Sequence, residues 1–235
     1  MKSLRNAVSN DFTGSGKYAL LCDVDIVKRM VCEPENERII VTPLISLKDQ
    51  LGPDSLDLRL GTEFILKERS EHIATDPIEA LKDPSDIESH YRVIRKVDPL
   101  DPFVLHTAEF VLATTLEYIK LPHGIFSLLQ GRSTWSRQGL VVHSTASFIH
   151  AGSEGIITFE LRNIGDVPIL LYPGIRIAQI SFIELSSFPS CSYIEKDEMK
   201  YGGNLKANIG LYWQDYEIEL IFKELEKRRK EQDLN

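Results

Sequence analysis

Residues 129–182 read LQGRSTWSRQGLVVHSTASFIHAGSEGIITFELRNIGDVPILLYPGIRIAQISF, and this stretch decides the fold. It opens with an Arg- and Ser-rich turn, GRSTWSR (131–137), and continues through four short alternating or apolar runs at 140–143, 156–162, 167–171 and 176–182. Gly152, Gly155, Gly165 and the pair Pro173-Gly174 separate the runs. That punctuation predicts a meander of short antiparallel strands. Glu160 sits inside a run otherwise built from Ile, Thr, Phe and Leu. A carboxylate withdrawn from water there needs Arg or hydroxyl neighbours, and the upstream turn offers Arg132, Ser133, Ser136 and Arg137.

At 235 residues and 43% hydrophobic, the chain can fill the core of one large domain or two small ones. The net charge of −8 and pI of about 5.3 argue against a general nucleic-acid surface, while leaving room for a local basic pocket. The cysteines, Cys22, Cys32 and Cys191, are too scattered for a disulfide framework. No apolar run approaches the ~18 residues that span a membrane, and no signal-peptide core is visible. A soluble, cytoplasmic protein is expected.

Outward from the central stretch, residues 1–17 form a polar extension. Asp23 can cap a short packing helix over 24–31, with Ile26, Val27, Met30 and Val31 at helical spacing. Residues 37–47 turn β-rich, with Pro43 marking an edge or strand end. Residues 55–60, SLDLRL, alternate as a strand whose Asp57 and Arg59 share a face and are placed to pair. The charged segment 67–96 reads as a non-catalytic surface excursion with a helix at 77–82. Strands follow at 103–105, 109–116 and 125–129. The clearest helix spans 215–230, capped by Asp215, with Ile218, Ile221, Phe222 and Leu225 on one stripe.

The segments GRSTWSRQGLVVHSTA (131–146), AGSEGIITFE (151–160) and YPGIRIAQISF (172–182) together resemble the dCTP deaminases, the deaminating branch of the trimeric dUTPase superfamily. LLCDVDIVKRM (20–30), GPDSLDLRLGTEF (52–64), LHTAEFVLATTLEYIKLP (105–122), Tyr193 and KYGGN (200–204) extend the resemblance in order over roughly residues 18–212. The resemblance implies an all-β fold, a distorted jelly roll or β-barrel of the dUTPase type, with a few short helices. One domain, 18–212, would lie between the extension 1–17 and a helical segment 213–235. It also implies a homotrimer with sites at subunit junctions and a nucleotide substrate, dCTP or dUTP.

Zinc-dependent cytosine deaminases hold their metal with His-x-Glu and Pro-Cys-x-x-Cys. Here the nearest two cysteines are ten residues apart and no histidine is followed two positions later by Glu, so protein-bound zinc is not expected. No chelating carboxylate cluster is visible either, so Mg2+ would arrive on substrate phosphates. Without a metal, water attack on a cytosine ring needs a carboxylate base. A buried Glu160 fits that role, because desolvation raises its proton affinity. From its residue environment alone, a Glu-Arg pair that merely ties strands together is an equal reading; the resemblance places Glu160 on the catalytic glutamate.

By the same resemblance, Ser133 and Arg137 are active-site residues that, with Arg132, Thr134 and Ser136 of the same turn, bind phosphate and orient water. Arg suits an oxyanion through its planar, two-pronged donor set. Thr145 and Ala146 would read the pyrimidine edge through their backbone, Thr158 and Phe159 would contact the base, and Tyr193 and Lys200 would close over the triphosphate. His143 matches a family position, although a lone strand histidine is usually a core residue. Two positions depart from the pattern: Asn204 replaces a glutamine near the tail's end, and His150 replaces an aspartate beside the deoxyribose. The alternatives are a dUTPase or bifunctional enzyme releasing pyrophosphate, and a catalytically weak nucleotide-binding sensor.

Overall fold

The computed structural model describes residues 19–67, 74–195 and 200–233; the N-terminal extension lies outside them. The first helix, α1 (Asp23–Val31), buries Ile26 and starts without a side-chain cap; Asp23 instead accepts from Val24 N at 2.8 Å within the first turn. Strand β1 (Ile40–Thr42) ends where Pro43 removes a donor. A single turn of helix, α2 (Leu47–Gln50), is capped by Ser46. Then comes β2 (Leu56–Lys67), longer than the 55–60 expected because it continues through Gly61. A Cβ at Gly61 would stand 2.3 Å from Thr114 Oγ1, so only glycine admits the neighbouring strand there.

The charged excursion carries α3 (Pro77–Lys82), capped by Asp76 and matching the expected helix, then α4 (Pro84–Ser89). It also returns to the sheet as β3 (Tyr91–Arg95), so it is more than a surface loop. Next are β4 (Phe103–Leu105), β5 (Phe110–Lys120), β6 (Ile125–Gly131) and the short helix α5 (Ser133–Ser136). The remaining strands are β7 (Leu140–Val141), β8 (Phe148–Ile149), β9 (Glu154–Asn163), β10 (Ile169–Leu171) and β11 (Arg176–Glu184). The last helix, α6 (Tyr216–Asp233), packs on α3.

Every named strand pair is antiparallel. The main sheet runs β7-β9-β5-β2-β11-β6-β8, with β1 on β5 and β3 on β2, and β10 pairs with β4 apart from it. The fold is all-β, a curled half-barrel. Register shifts in the β2–β5, β5–β9 and β2–β11 pairs bend it. The four runs of the central stretch are strands but not a meander. Only β7 and β9 are neighbours; β10 crosses to β4 and β11 inserts between β2 and β6. Alternation fixes which face a strand buries and is silent on which strand supplies its ladder.

Inside the curl, Leu56, Leu58, Leu60, Phe64, Ile125, Leu129, Phe159, Ile180 and Phe182 are all buried, each worth about 1.5–3 kcal/mol. Phe64 stacks on Phe103 at 4.3 Å and 7°. On α6 the stripe is divided. Ile218 and Phe222 are half-buried, while Ile221 and Leu225 stay 50% and 40% exposed. Among the described residues no helix is long and apolar enough to cross a membrane.

Candidate functional site

A cavity of about 640 Å³ lies on the face of β9, β5, β2 and β3. Cross-strand register sets Glu160 beside Leu112 and Leu112 beside Ile65, making one row of the floor. His143, Ala146 and His150 enter from the β7–β9 connection, and Thr158 lies one inward position along β9 from Glu160. Tyr193 closes one side. The cavity thus collects six of the expected residues or family positions: His143, Ala146, His150, Thr158, Glu160 and Tyr193.

Glu160 is half-exposed in this chain rather than buried. Its Oε2 accepts from Ser144 N at 3.1 Å. Among the described residues it has no Arg or Lys partner. The reason is its position on β9, whose only neighbour on that side is the two-residue β7, so the carboxylate faces the cavity. The buried carboxylate of the sheet is Glu117 on β5, fully withdrawn from solvent. Phe159 is fully buried and so belongs to the core, not to the cavity; one step along a strand turns its ring to the other face. Thr158 Oγ1 accepts from Asn208 N at 3.3 Å.

The expected Asp57–Arg59 pair does not form. Arg59 turns to Glu117, the buried charge that needs it, at 2.6 Å. Asp57 holds Arg132 at 3.1 Å and Arg176 at 3.2 Å. Burial pushes the Asp57 carboxyl above its ordinary value, with the two guanidiniums pulling the other way. Arg132 also donates to Arg176 O at 3.1 Å, so it is committed to the base of α5. Ser133, Thr134 and Ser136 are exposed on that helix, and Arg137 is exposed at its C-terminal cap. None of Arg132, Ser133, Thr134 or Arg137 lines the large cavity. Ser136 and Thr145 line a smaller one of about 340 Å³, and His143 borders both. His143 Nε2 lies 2.7 Å from Ala146 O, and its buried Nδ1 has no partner among the described residues.

His150 stacks on Tyr193 with ring centres 5.3 Å apart and planes at 20°. Burial raises the Tyr193 phenol above its usual range. The tail returns beside β9: Gly203 N donates to Glu154 O at 2.8 Å and Ile156 N to Asn204 O at 2.9 Å. This approach requires Gly155, whose φ is +135° and whose added Cβ would meet Asn204 O at 2.9 Å. Asn204 therefore contributes backbone to the sheet edge. Lys200 is ion-paired with Asp215 and donates to Leu211 O at 3.3 Å, so its ammonium is engaged by the tail itself.

Sequence reading missed Lys67 and Tyr91 of the excursion, and Tyr201, Ile209 and Tyr212 of the tail, all of which line the cavity. The alternating YRVIR at 91–95 was the available signal for β3, and with it for Tyr91.

The sequence model of the dCTP deaminase-like family matches residues 25–185, and so covers both the cavity floor and α5. The chain belongs to the dCTP deaminase-like family. Within the dCTP deaminase-like group, it is 38% identical over 201 residues to a protein of Methanosphaera stadtmanae named dCTP deaminase, dUMP-forming, covering 85% of this chain and 97% of that one. A protein of the same name from Methanothermobacter thermautotrophicus is 39% identical over 201 residues, with the same coverages of 85% and 97%. The crystal structure of 2'-deoxycytidine 5'-triphosphate deaminase from Agrobacterium tumefaciens superposes with a TM-score of 0.52 at 20% identity, over 72% of this chain and 49% of that chain. That likeness agrees with the fold described above.

Proposed function

We propose that the chain hydrolyses the cyclic amidine C–N bond at C4 of dCTP, giving dUTP and ammonia. The observation that carries this reading is Glu160. Among the described residues two carboxylates line the cavity, and Glu154 is paired with Lys120 at 2.9 Å, which leaves Glu160 as the available base. In this reading Glu160 takes a proton from water as the water oxygen bonds to C4, and returns it to N3. The second proton of that water follows the same carboxylate to the exocyclic nitrogen, which leaves as ammonia. Ser144 N, donating at 3.1 Å, holds Glu160 in place for both transfers. The names of the two archaeal relatives support dCTP as substrate.

We further propose a homotrimer of C3 symmetry. The support is that, within one chain, the exposed Ser133 on α5 and Arg137 at its C-terminal cap do not line the Glu160 cavity. Each half is complete only beside another copy, which is how a closed ring of subunits uses one surface twice. Mg2+ would enter on the triphosphate; among the described residues no three His, Cys, Asp or Glu side chains are grouped to hold it. A nucleoside triphosphate substrate supports a cytoplasmic enzyme.

Release of pyrophosphate after deamination, giving dUMP, is a second reading. The names of the two relatives, dCTP deaminase, dUMP-forming, favour it; the imidazole of His150, in place of the carboxylate that the resemblance associates with the hydrolytic water, stands against it. Chromatography of a dCTP incubation, with ammonia assayed in parallel, separates the outcomes. dUTP with ammonia is expected, dUMP with pyrophosphate supports the second reading, and unchanged dCTP despite binding removes the enzymatic reading.

A further inference from the structure

The outer wall of the cavity is made by the segment that leads into α6. Tyr201, Asn208, Ile209, Gly210 and Tyr212 form this wall. Beyond the two β-like bonds at Gly203 and Asn204, Ala207 N donates to Glu63 Oε1 at 3.1 Å and Asn208 N to Thr158 Oγ1 at 3.3 Å. Leu211 N donates to the Tyr201 hydroxyl at 2.8 Å. The Lys200–Asp215 ion pair ties the two ends of the segment together. Two consecutive glycines, Gly202 and Gly203, would otherwise leave it loose.

The anchor lies one residue past the wall. Trp213 is 4% exposed, its ring edge-on to Tyr212 at 5.2 Å and 83°. It sits in a short turn, Tyr212–Gln214, that packs on α3 and on α6. Trp213 does not line the cavity, but Tyr212 beside it does, as does Tyr91 of β3. The excursion helix at 77–82 and the turn Tyr212–Gln214 are distant in sequence and meet here.

We propose that Trp213 is a positioning residue for nucleotide use: docked on the excursion helix, it keeps residues 200–212 standing as a wall of the cavity instead of letting them assemble at each binding event. The proposal rests on the cavity being the nucleotide site. Its physical basis is that apparent affinity scales with the fraction of molecules already in the competent arrangement. A segment ordered beforehand also adds no ordering cost to binding.

Amide hydrogen exchange on the full chain tests this, with no nucleotide added and then with dCTP. In the wild type the amides of Gly203, Ala207, Asn208 and Leu211 are expected to be protected from the start, with little change on adding dCTP. Trp213→Ala is expected to speed their exchange at least about tenfold and, by cutting the competent fraction to about a tenth, to raise KM about tenfold with kcat held within about twofold. Trp213→Phe, which keeps an aromatic ring in the seat, is expected to restore both. Free exchange of those wild-type amides until dCTP arrives would overturn the proposal, as would a Trp213→Ala variant that loses kcat with KM unchanged. Where Trp213→Ala does not fold, the wild-type exchange pattern and Trp213→Phe decide alone. The exchange measurement does not depend on turnover, so a failed deaminase assay and a failed wall are told apart.

Discussion

Arg59 Nε donates to Glu117 Oε1 at 2.6 Å, with the two side chains 7% and 0% exposed. The pair is fully furnished: Gln50 Nε2 reaches Oε1 at 3.2 Å, Arg59 N reaches Oε2 at 2.9 Å, and Arg59 Nη2 donates to Pro43 O at 2.6 Å. It therefore fastens β2, β5, α2 and the end of β1 at one point under the sheet. Glu117→Gln keeps the shape but strands a buried guanidinium, which typically costs about 3–5 kcal/mol. Urea unfolding should show that loss, and replacing both residues by apolar ones of similar volume should recover most of it. A cost below about 1 kcal/mol for Glu117→Gln would mean that water reaches Arg59.

Glu160 carries the opposite assignment. Glu160→Gln retains an acceptor for Ser144 N but removes the proton acceptor, so kcat should fall about 10²–10⁴-fold while nucleotide binding persists. Because the side chain is half-exposed, the substitution should shift the unfolding midpoint little. Near-normal turnover would take Glu160 out of the chemistry.

These two glutamates mark where the sequence was legible and where it was not. Strand alternation located β2, β5, β9 and β11 but not how far β2 and β5 run, and the helix expected at 77–82 is α3. An acidic residue amid apolar ones was visible at both Glu117 and Glu160. Which of them is buried depends on the strands around it: Glu117 lies on β5, flanked by β2 and β9, whereas Glu160 lies on β9 beside the two-residue β7. Strand order is a long-range property that no local pattern encodes. The same limit hid Tyr91, Tyr212 and Trp213, whose common place depends on the excursion meeting the tail. Phe159 could have been read correctly, since period two alone turns it away from Glu160.

Asp57 yields a pH test with a definite sign. Burial raises its carboxyl above the ordinary 3.8, and Arg132 and Arg176 only partly offset this. The folded state then holds the Asp57 proton more tightly than the unfolded chain does. Its contribution to stability therefore declines as pH rises from about 4 through the raised value. Asp57→Asn has no such step. The stability of the wild type minus that of Asp57→Asn should accordingly shrink across this window, read as urea midpoints at successive pH values. A gap that widens with pH would show that the two arginines outweigh burial.

His150 and Tyr193 bear on sugar recognition. Their rings are stacked at 5.3 Å at the side of the cavity, so His150 has two separable jobs: presenting a nitrogen to the nucleotide and seating Tyr193. His150→Phe keeps a ring for the stack and removes the nitrogens. His150→Asp restores the carboxylate that the family resemblance implies for the deoxyribose and abandons the stack. A hydrogen bond to a charged group contributes about 1.5–3 kcal/mol, about ten- to a hundredfold in affinity. If His150 touches the sugar, KM for dCTP should fall by at least about tenfold in His150→Asp and rise in His150→Phe. Parallel assays with CTP should show the Asp variant discriminating more sharply against the ribonucleotide. The reverse pattern, with Phe matching the wild type and Asp raising KM, would assign His150 to supporting Tyr193 and leave the sugar to another group.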